Sequence, residues 1–521
     1  MTVREAVFDL LRSFGLTTVF GNPGSTELPM FRGFPADFRY VLALQESLAV
    51  GMADGFAQAH RNAALVNLHS AVGVGHALGN LFTAYRNQTP LVVTAGQQAR
   101  SILPFEPFLF ASEAAQFPKP YVKWSCEPAR AEDVPAAIAR AYYVAMQAPR
   151  GPTFVSIPVD DWDRPCERIE PRRVSRDIAG DPALLAEAAG ALSQAERPVI
   201  VVGAGVARDD AWNEIIELAE RHQAAVWVSP MSARSGFPED HRLFAGFLAS
   251  DRARIVASLA GADLILVLGA PAFTYHVEGA GPHVPAGAKL IQLVDDPAVA
   301  AWTPTGLSIV THLRLGILSL LAGPQPRRRA APVVPARAAR LPPDRLTDRY
   351  LLQRIADLRP ADSIIVEEAP SSRGPMHDHL PILKPDTFYT CASGGLGHGL
   401  PAAVGLALAR PDDRVIALLG DGSSLYSIQA LWSAAQHGLR MAFIVVRNGR
   451  YQALHDFGRH FRLEYLPGTQ LPGIDFRALA EAQGVRAIRV TKTNELDAAL
   501  REAFRFERPL LIEVVTEETA V

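Results

Sequence analysis

The sequence predicts an α/β protein of three doubly wound parallel-sheet domains, and three observations predict it. Apolar runs of strand length, such as Ala64-Leu-Val-Asn-Leu68 and Leu264-Ile-Leu-Val-Leu268, alternate with stretches whose apolar residues recur at helical spacing. At 521 residues the chain is too long for one hydrophobic core and suggests about three. Two breaks divide the pattern: Pro165 to Asp181, rich in charge, and Ala322 to Pro343, rich in proline with a basic run at Arg327 to Arg329. The expected domains are 1–165, 182–322 and 344–521.

Composition excludes several function classes. Hydrophobic content of 49% with 20% charged residues is that of a soluble globular protein. A formal net charge of −3 gives no electrostatic reason to expect a nucleic-acid or anionic-membrane partner, so Arg327 to Arg329 reads as a solvated connector. Met1 to Leu11 reads as an amphipathic helix with acidic residues rather than a signal peptide, and no run is long enough to span a bilayer. Cys126, Cys166 and Cys391 are odd in number and widely separated, which predicts neither a disulfide framework nor a metal cluster and implies a reducing, cytoplasmic location.

In chain order, the first domain carries strands at Thr18-Val-Phe, Tyr40-Val-Leu-Ala-Leu, Ala64 to Leu68, Leu91-Val-Val-Thr-Ala and Thr153-Phe-Val-Ser-Ile. Three of its segments present polar groups at strand or helix ends. A glycine-proline turn, Gly21-Asn-Pro-Gly-Ser25, exposes Ser25; Glu46 sits in an otherwise apolar run; His69 ends a strand just before a glycine-rich helix start. Glu46 reads blandly as a first-turn acid at a helix N-terminus, but burial would keep such a carboxyl protonated near neutrality. The second domain carries strands at Pro198-Val-Ile-Val-Val, Ala225-Val-Trp-Val, Leu264 to Leu268 and Lys289-Leu-Ile-Gln-Leu-Val. Its Gly203-Ala-Gly205 lacks the third glycine and the acidic strand end of a dinucleotide site, so a nucleotide-like fold without nucleotide is expected.

The third domain contains Arg414-Val-Ile-Ala-Leu-Leu-Gly-Asp-Gly-Ser423, a helical pattern from Tyr426 to His437, and Met441-Ala-Phe-Ile-Val-Val-Arg-Asn-Gly449. In a parallel βαβ unit both strands finish at one edge, which brings Asp421 and Asn448 side by side. Two hard oxygen donors with little charge suit Mg²⁺ shared with phosphate oxygens. Gly420 and Gly422 allow close approach of a phosphate, and a helix starting near Ser424 directs free N–H groups toward it. A metal-bridged diphosphate follows.

The Gly420-Asp421-Gly422 turn and the spaced Asn448 resemble the cofactor motif of thiamin-diphosphate-dependent enzymes. The likeness extends over nearly the whole chain and is most like the 2-oxo acid decarboxylases of that family. It runs through Gly21 to Ser25, Leu44-Gln-Glu46, Asn67-Leu-His69-Ser70, Phe273-Thr-Tyr-His276, Gly394-Gly-Leu-Gly397 and Pro472-Gly-Ile-Asp-Phe-Arg477. The resemblance implies thiamin diphosphate with Mg²⁺, or Ca²⁺, as cofactors, the ion held by Asp421, Asn448 and the Arg450 carbonyl. It implies further cofactor contacts from Ser371, Gly394, Leu396, Gly420, Gly422, Ser423 and Tyr451, with Glu46 hydrogen-bonded to the aminopyrimidine. It gives Ser25 the substrate carboxylate, and His69 and His276 the proton transfers before and after CO₂ leaves. His76, His398 and His455 have no family counterpart and read as local residues.

The activity so implied is non-oxidative decarboxylation of a small-molecule aryl 2-oxo acid, benzoylformate to benzaldehyde and CO₂. Phe108, Leu109, Thr390, Ala453, Leu454 and Phe457 are the candidates for its pocket. The family also implies a homodimer or homotetramer, with active sites between the first domain of one subunit and the last domain of another. Four residues depart from the pattern: Arg447 replaces a first Asn, Thr390 an aromatic residue, Pro370 a Thr and Glu367 an Asn. The change at Thr390 implies a wider pocket. Two other readings stay open on the residues, a carboligase or lyase with the same cofactor and a non-enzymatic paralogue; intact Glu46, Asp421 and Asn448 argue against the second. Pyruvate-type relatives carry a His-His pair that Phe105-Glu-Pro-Phe-Leu109 lacks.

Overall fold

The computed structural model describes residues 1–517. Three parallel six-stranded sheets follow one another along the chain. The first contains β1 (Thr18–Gly21), β2 (Arg39–Leu42), β3 (Ala64–Leu68), β4 (Leu91–Gln97), β5 (Ser125–Cys126) and β6 (Pro152–Pro158), in spatial order β2-β1-β3-β4-β6-β5. The second contains β7 (Pro198–Val202), β8 (Ala225–Val228), β9 (Phe244–Phe247), β10 (Leu264–Leu268), β11 (Lys289–Val294) and β12 (Leu307–Val310), in order β12-β11-β10-β7-β8-β9. In the third, β13 (Ile364–Glu368), β15 (Val415–Gly420), β16 (Met441–Arg447), β18 (Leu510–Val515) and β17 (Arg486–Val490) lie in that order, and β14 (Phe388–Thr390) is the short sixth strand. Central strands such as β3, β10 and β16 are buried along nearly their whole length, because helices cover both faces of a parallel sheet. Helix α1 (Val3–Ser13) begins at Thr2, whose hydroxyl accepts from Glu5 N while the Glu5 carboxylate accepts from Thr2 N.

The chain clusters into two compact units: Met1–Ser175 with Pro343–Ser372 and Ser393–Val521, and Arg176–Pro342 with Arg373–Ala392. The first sheet and five strands of the third, β13 and β15 to β18, therefore share a unit although the second sheet separates them in sequence, while β14 falls in the other unit. Within that unit, α2 (Glu46–His60) lies along the helix Gly399–Ala409 at backbone contact distance. A Cβ at Gly55 would run into the Ala402 carbonyl, and one at Gly405 into the Met52 carbonyl, so both glycines are required by the close approach.

A buried ion pair pins the same helix pair. His398 Nε2 bonds Asp54 Oδ2, and the carboxylate also accepts from Asn87 Nδ2 at 2.8 Å and Gln58 Nε2 at 3.0 Å. Burial pushes the Asp54 carboxyl up, but the His398 charge and the donors outweigh it and leave it below the ordinary value. Burial likewise pushes His398 down, and the Asp54 charge, with Glu368 behind it, leaves the imidazole above its ordinary value. An acid with a lowered folded pKa stabilises above about pH 4, and a histidine with a raised one stabilises below about pH 6.5. The pair thus contributes most between those limits, and its contribution fades as pH rises through the raised His398 value. Asp54→Asn is expected to cost about 3 kcal/mol or more at pH 6, the scale of breaking a buried pair. Thermal melts should show the gap between parent and variant narrowing as pH rises above the ordinary histidine range; a gap that does not change with pH would contradict the charged pair.

The βαβ unit at the third sheet differs from expectation in one respect. Its strands are parallel and in register from Val415 opposite Met441 to Gly420 opposite Val446. The expected single helix, however, forms as two pieces, Asp421–Ser424 and Ala430–Gln436. The Ser423 and Ser424 hydroxyls donate to the Gly420 carbonyl at 3.0 and 2.7 Å, and Tyr426 N and Ser427 N close three-residue turns onto Ser423 O and Ser424 O. Serines that bond local backbone favour such a turn over a continued helix.

Candidate active site

The register of β15 and β16 places Asp421 and Asn448 together at the carboxyl edge of the third sheet. Asp421 Oδ1 accepts from Gly422 N at 2.8 Å, and Oδ2 accepts from Asn448 N at 3.1 Å and Gly449 N at 2.7 Å. Burial pushes the Asp421 carboxyl above its ordinary value in spite of these three donors and nearby Arg447. Asn448 Oδ1 accepts from Arg450 N at 3.1 Å, and the Arg450 carbonyl accepts from Gln452 N at 3.0 Å; each oxygen keeps a second lone pair. Arg447, at the position of a family Asn, turns to the fully buried Glu513, with Nη1 donating to Oε1 at 2.7 Å. A buried carboxylate short of positive charge, among neutral oxygen donors, is a fitting donor set for a hard divalent cation.

A second cluster forms where β1 and β3 end. Ser25 is exposed as the first residue of the 3₁₀ turn Ser25–Phe31, whereas Thr26 and Glu27 behind it are buried. The Glu27 carboxylate accepts from Gly24 N, Gly96 N and Thr26 Oγ1 at 2.8, 3.0 and 2.7 Å. His69 Nδ1 lies 2.9 Å from Glu27 Oε2 and 3.1 Å from Thr26 Oγ1. A carboxylate only accepts, so His69 donates through Nδ1 and keeps Nε2 for the site. Ser70, which follows, has φ of 52°, a left-handed backbone that costs a non-glycine residue about 1–2 kcal/mol. Its hydroxyl donates to the Leu109 carbonyl at 2.5 Å and so draws a candidate pocket residue to the strand end.

Glu46 begins α2 as the charged first-turn residue, and it is also buried. The Gln45 side chain takes the capping duty, accepting from Ser47 N at 2.7 Å, so the Glu46 carboxylate is left for other partners. Its Oε2 lies 3.0 Å from His76 Nδ1 on α3 (Ser70–Asn87). A hydrogen-bonded path joins this corner to the Asp421 corner. Asn80 Nδ2 donates to Ser47 O at 2.7 Å and Gly397 O at 3.3 Å, Gly397 N donates to Glu368 Oε1 at 2.5 Å, and Ser423 Oγ donates to Glu368 O at 2.6 Å. Burial pushes the Glu368 carboxyl up to about 7. Glu27, Glu368, Asn80 and the Asp54–His398 pair were not among the sequence candidates.

The remaining candidates are dispersed. Gly394 is exposed with φ of 73°, and Leu396 is half-buried in the same loop, which Thr83 Oγ1 meets at Ser393 Oγ, 2.8 Å away. Ser371 is half-buried in the turn after β13, where Ser372 N donates to Ala369 O. Tyr451 packs over Gly422, where a Cβ would strike its ring. His455 Nε2 bonds Thr469 Oγ1 at 3.1 Å. Phe108 is 87% exposed and Leu454 48%, while Ala453 and Phe457 are half-buried on the helix Gln452–His460. A cleft of about 650 Å³ lies against that helix, but Gln452, His455 and Arg459 line it rather than Ala453, Leu454 or Phe457. Glu367 is buried with Oε1 accepting from Ala369 N at 2.6 Å, and Pro370 is exposed. In the second unit, His276 is exposed after β10 with its N–H donating to Ser250 O, and Thr390 is buried with Oγ1 accepting from Arg373 Nη2 at 2.6 Å. Among the described residues no helix is long and apolar enough to cross a membrane.

Three family models match the chain: the N-terminal thiamine pyrophosphate (TPP) binding domain over residues 1–115, the thiamine pyrophosphate enzyme central domain over 185–320, and the C-terminal TPP binding domain over 371–514. Benzoylformate decarboxylase from Pseudomonas aeruginosa is 44% identical, covering 99% of each chain. The crystal structure of benzoylformate decarboxylase from Polynucleobacter necessarius superposes with a TM-score of 0.96 at 42% identity, over 100% of this chain and 99% of that one. The thiamine diphosphate-dependent 4-hydroxybenzoylformate decarboxylase of Rhodococcus jostii RHA1 superposes at 0.95 with 40% identity, over the whole of both chains.

Proposed function

We infer the reaction from the premise that this chain belongs to the thiamine pyrophosphate enzymes: it is a carbon–carbon lyase that decarboxylates an aryl 2-oxo acid with that cofactor, benzoylformate to benzaldehyde and CO₂. The observation that carries this is identity of 44% sustained over 99% of both chains.

On this reading Asp421, Asn448 and the Arg450 carbonyl would hold Mg²⁺, or Ca²⁺, and Gly420, Gly422, Ser423, Ser371 and Tyr451 would hold the diphosphate. The cofactor supplies the nucleophilic carbon and the electron sink. The chain's own groups do the rest. Glu46 would hydrogen-bond the aminopyrimidine through its carboxyl, Gly394 would offer its carbonyl to the same ring, and Leu396 would pack against the cofactor. Ser25 orients the substrate carboxylate from its exposed turn. His69, fixed through Nδ1 by Glu27, moves a proton at Nε2, and His276 supplies the proton that replaces CO₂.

The active site is completed by a second subunit in a homodimer or homotetramer. Support comes from the exposure of the pocket candidates Phe108 and Leu454, and of Phe105, Phe461 and Tyr465 near them in sequence, large apolar groups that a single chain leaves in water. Sizing with activity assayed across the peak tests this: activity should follow a dimer or larger species, and full activity at the monomer mass of 56.3 kDa would refute it. A cytoplasmic location fits three cysteines with no disulfide among them.

An aryl ring packed by Phe108, Leu109, Ala453, Leu454 and Phe457 gains binding through area removed from water. Thr390, which the family resemblance assigns to the pocket, is buried with Oγ1 accepting from Arg373, so Thr390→Phe would remove that acceptor and overfill the site, and is a poor probe of substrate length. A panel of 2-oxo acids is cleaner. Benzoylformate and para-substituted analogues should be decarboxylated with kcat/KM values within about tenfold of one another, one to two lost apolar contacts being worth about that much. Pyruvate turned over faster than both would overturn the aryl assignment.

A further inference from the structure

Glu46 is held by two residues of α3 that lie three positions apart and so face the same way, Gly73 and His76. A Cβ on Gly73 would stand 3.1 Å from Glu46 Oε1 and 3.2 Å from its Cγ, so the glycine leaves the groove in which the carboxylate lies. His76 Nδ1 meets the other oxygen, Oε2, at 3.0 Å. The two oxygens are therefore not equivalent: one is tethered by an imidazole and the other rests over bare backbone. The Glu46 side chain is 11% exposed and that of His76 55%.

We propose that His76 is a positioning residue that fixes Glu46 by Oε2 and thereby makes Oε1 the oxygen presented to the cofactor's ring nitrogen. The inference rests on the reading that Glu46 addresses the aminopyrimidine. With His76 donating through Nδ1–H, Oε2 is occupied as an acceptor, so Oε1 is left as the oxygen that meets the ring nitrogen. Without the tether the carboxyl rotates between equivalent orientations, and the oxygen that faces the ring is no longer fixed. His69, seven residues earlier on the same segment, is tethered by Glu27 in the same manner with the roles reversed.

The test is deuterium exchange at C2 of bound thiamin diphosphate, measured at saturating cofactor and Mg²⁺ in the full-length parent, His76→Leu, His76→Asn and Glu46→Gln. Cofactor affinity and melting temperature are measured on each. His76→Leu should slow exchange about 10- to 100-fold, less than the 10² to 10⁴-fold scale of removing the proton-transfer group itself, with an unchanged melt. His76→Asn, which restores an N–H donor, should recover exchange to within about tenfold of the parent. Parent-like exchange in His76→Leu, or no recovery in His76→Asn, would overturn the inference while a slow Glu46→Gln leaves the reading of Glu46 intact. Exchange indifferent to Glu46→Gln would overturn both.

Discussion

Asp421→Ala is expected to abolish retention of thiamin diphosphate, with an affinity loss of at least about 100-fold, since altering even an outer-shell partner of a metal ligand costs up to that much. The side chain carries the only negative charge among the three proposed ligands, and without it two neutral oxygens face the cation. It also accepts three backbone hydrogen bonds, from Gly422, Asn448 and Gly449, which hold the ends of β15 and β16 in place. Losing those would cost stability as well, on the order of 1–3 kcal/mol for each donor left buried. Asp421→Asn separates the two effects, because it retains an acceptor while removing the charge. Titration of thiamin diphosphate with Mg²⁺ into both variants should show weak binding in each, with the melt depressed mainly in Asp421→Ala. Parent-like affinity in Asp421→Asn would remove Asp421 from the metal site.

Glu46→Gln should lower turnover on the order of 10² to 10⁴-fold while leaving cofactor affinity close to the parent value. Glutamine has the shape to occupy the groove over Gly73 and to meet His76 Nδ1, so α2 and its packing on the helix Gly399–Ala409 are undisturbed. What it lacks is an acid proton. The loss should therefore appear at C2 deprotonation of the bound cofactor, before substrate enters. An exchange rate equal to the parent's would show that another group performs this transfer.

Asp421 and Asn448 were legible in the sequence because local rules suffice to place them. An apolar run, a crossover and a second apolar run make a parallel pair, and parallel strands end at one edge. The observed register agrees with that reading. The strands Ala64–Leu68, Leu264–Leu268 and Met441–Arg447 were legible for a related reason: each is a continuous apolar run. Edge strands such as Arg486–Val490 and Leu307–Val310 were not, since only part of each is buried and the pattern is broken by polar residues. That the first sheet and five strands of the third share one unit was also hidden, although Gly51, Gly55 and Gly405 were a signal: glycine at those helical positions has no reason in propensity alone.

The groups that support the site were less legible still. Glu27 reaches His69 and the Gly96 amide, 42 and 69 positions away, and Asp54 reaches His398 across 344. No period or motif links residues so separated, and only the folded chain does. Glu27 nevertheless left a trace, an acid three residues after Gly24 at the start of a turn, where its carboxylate closes on the Gly24 amide. His398 was read as a local residue; its place in a buried pair between helices of the first and third domains follows from the close packing of those helices.

The most direct test of the account is the reaction of benzoylformate with protein stripped of cofactor and metal and then reconstituted. Equal amounts of benzaldehyde and CO₂ should appear only when thiamin diphosphate and Mg²⁺ are both restored. Benzoylformate left unconsumed by the reconstituted protein, or consumed equally without thiamin diphosphate, would contradict it.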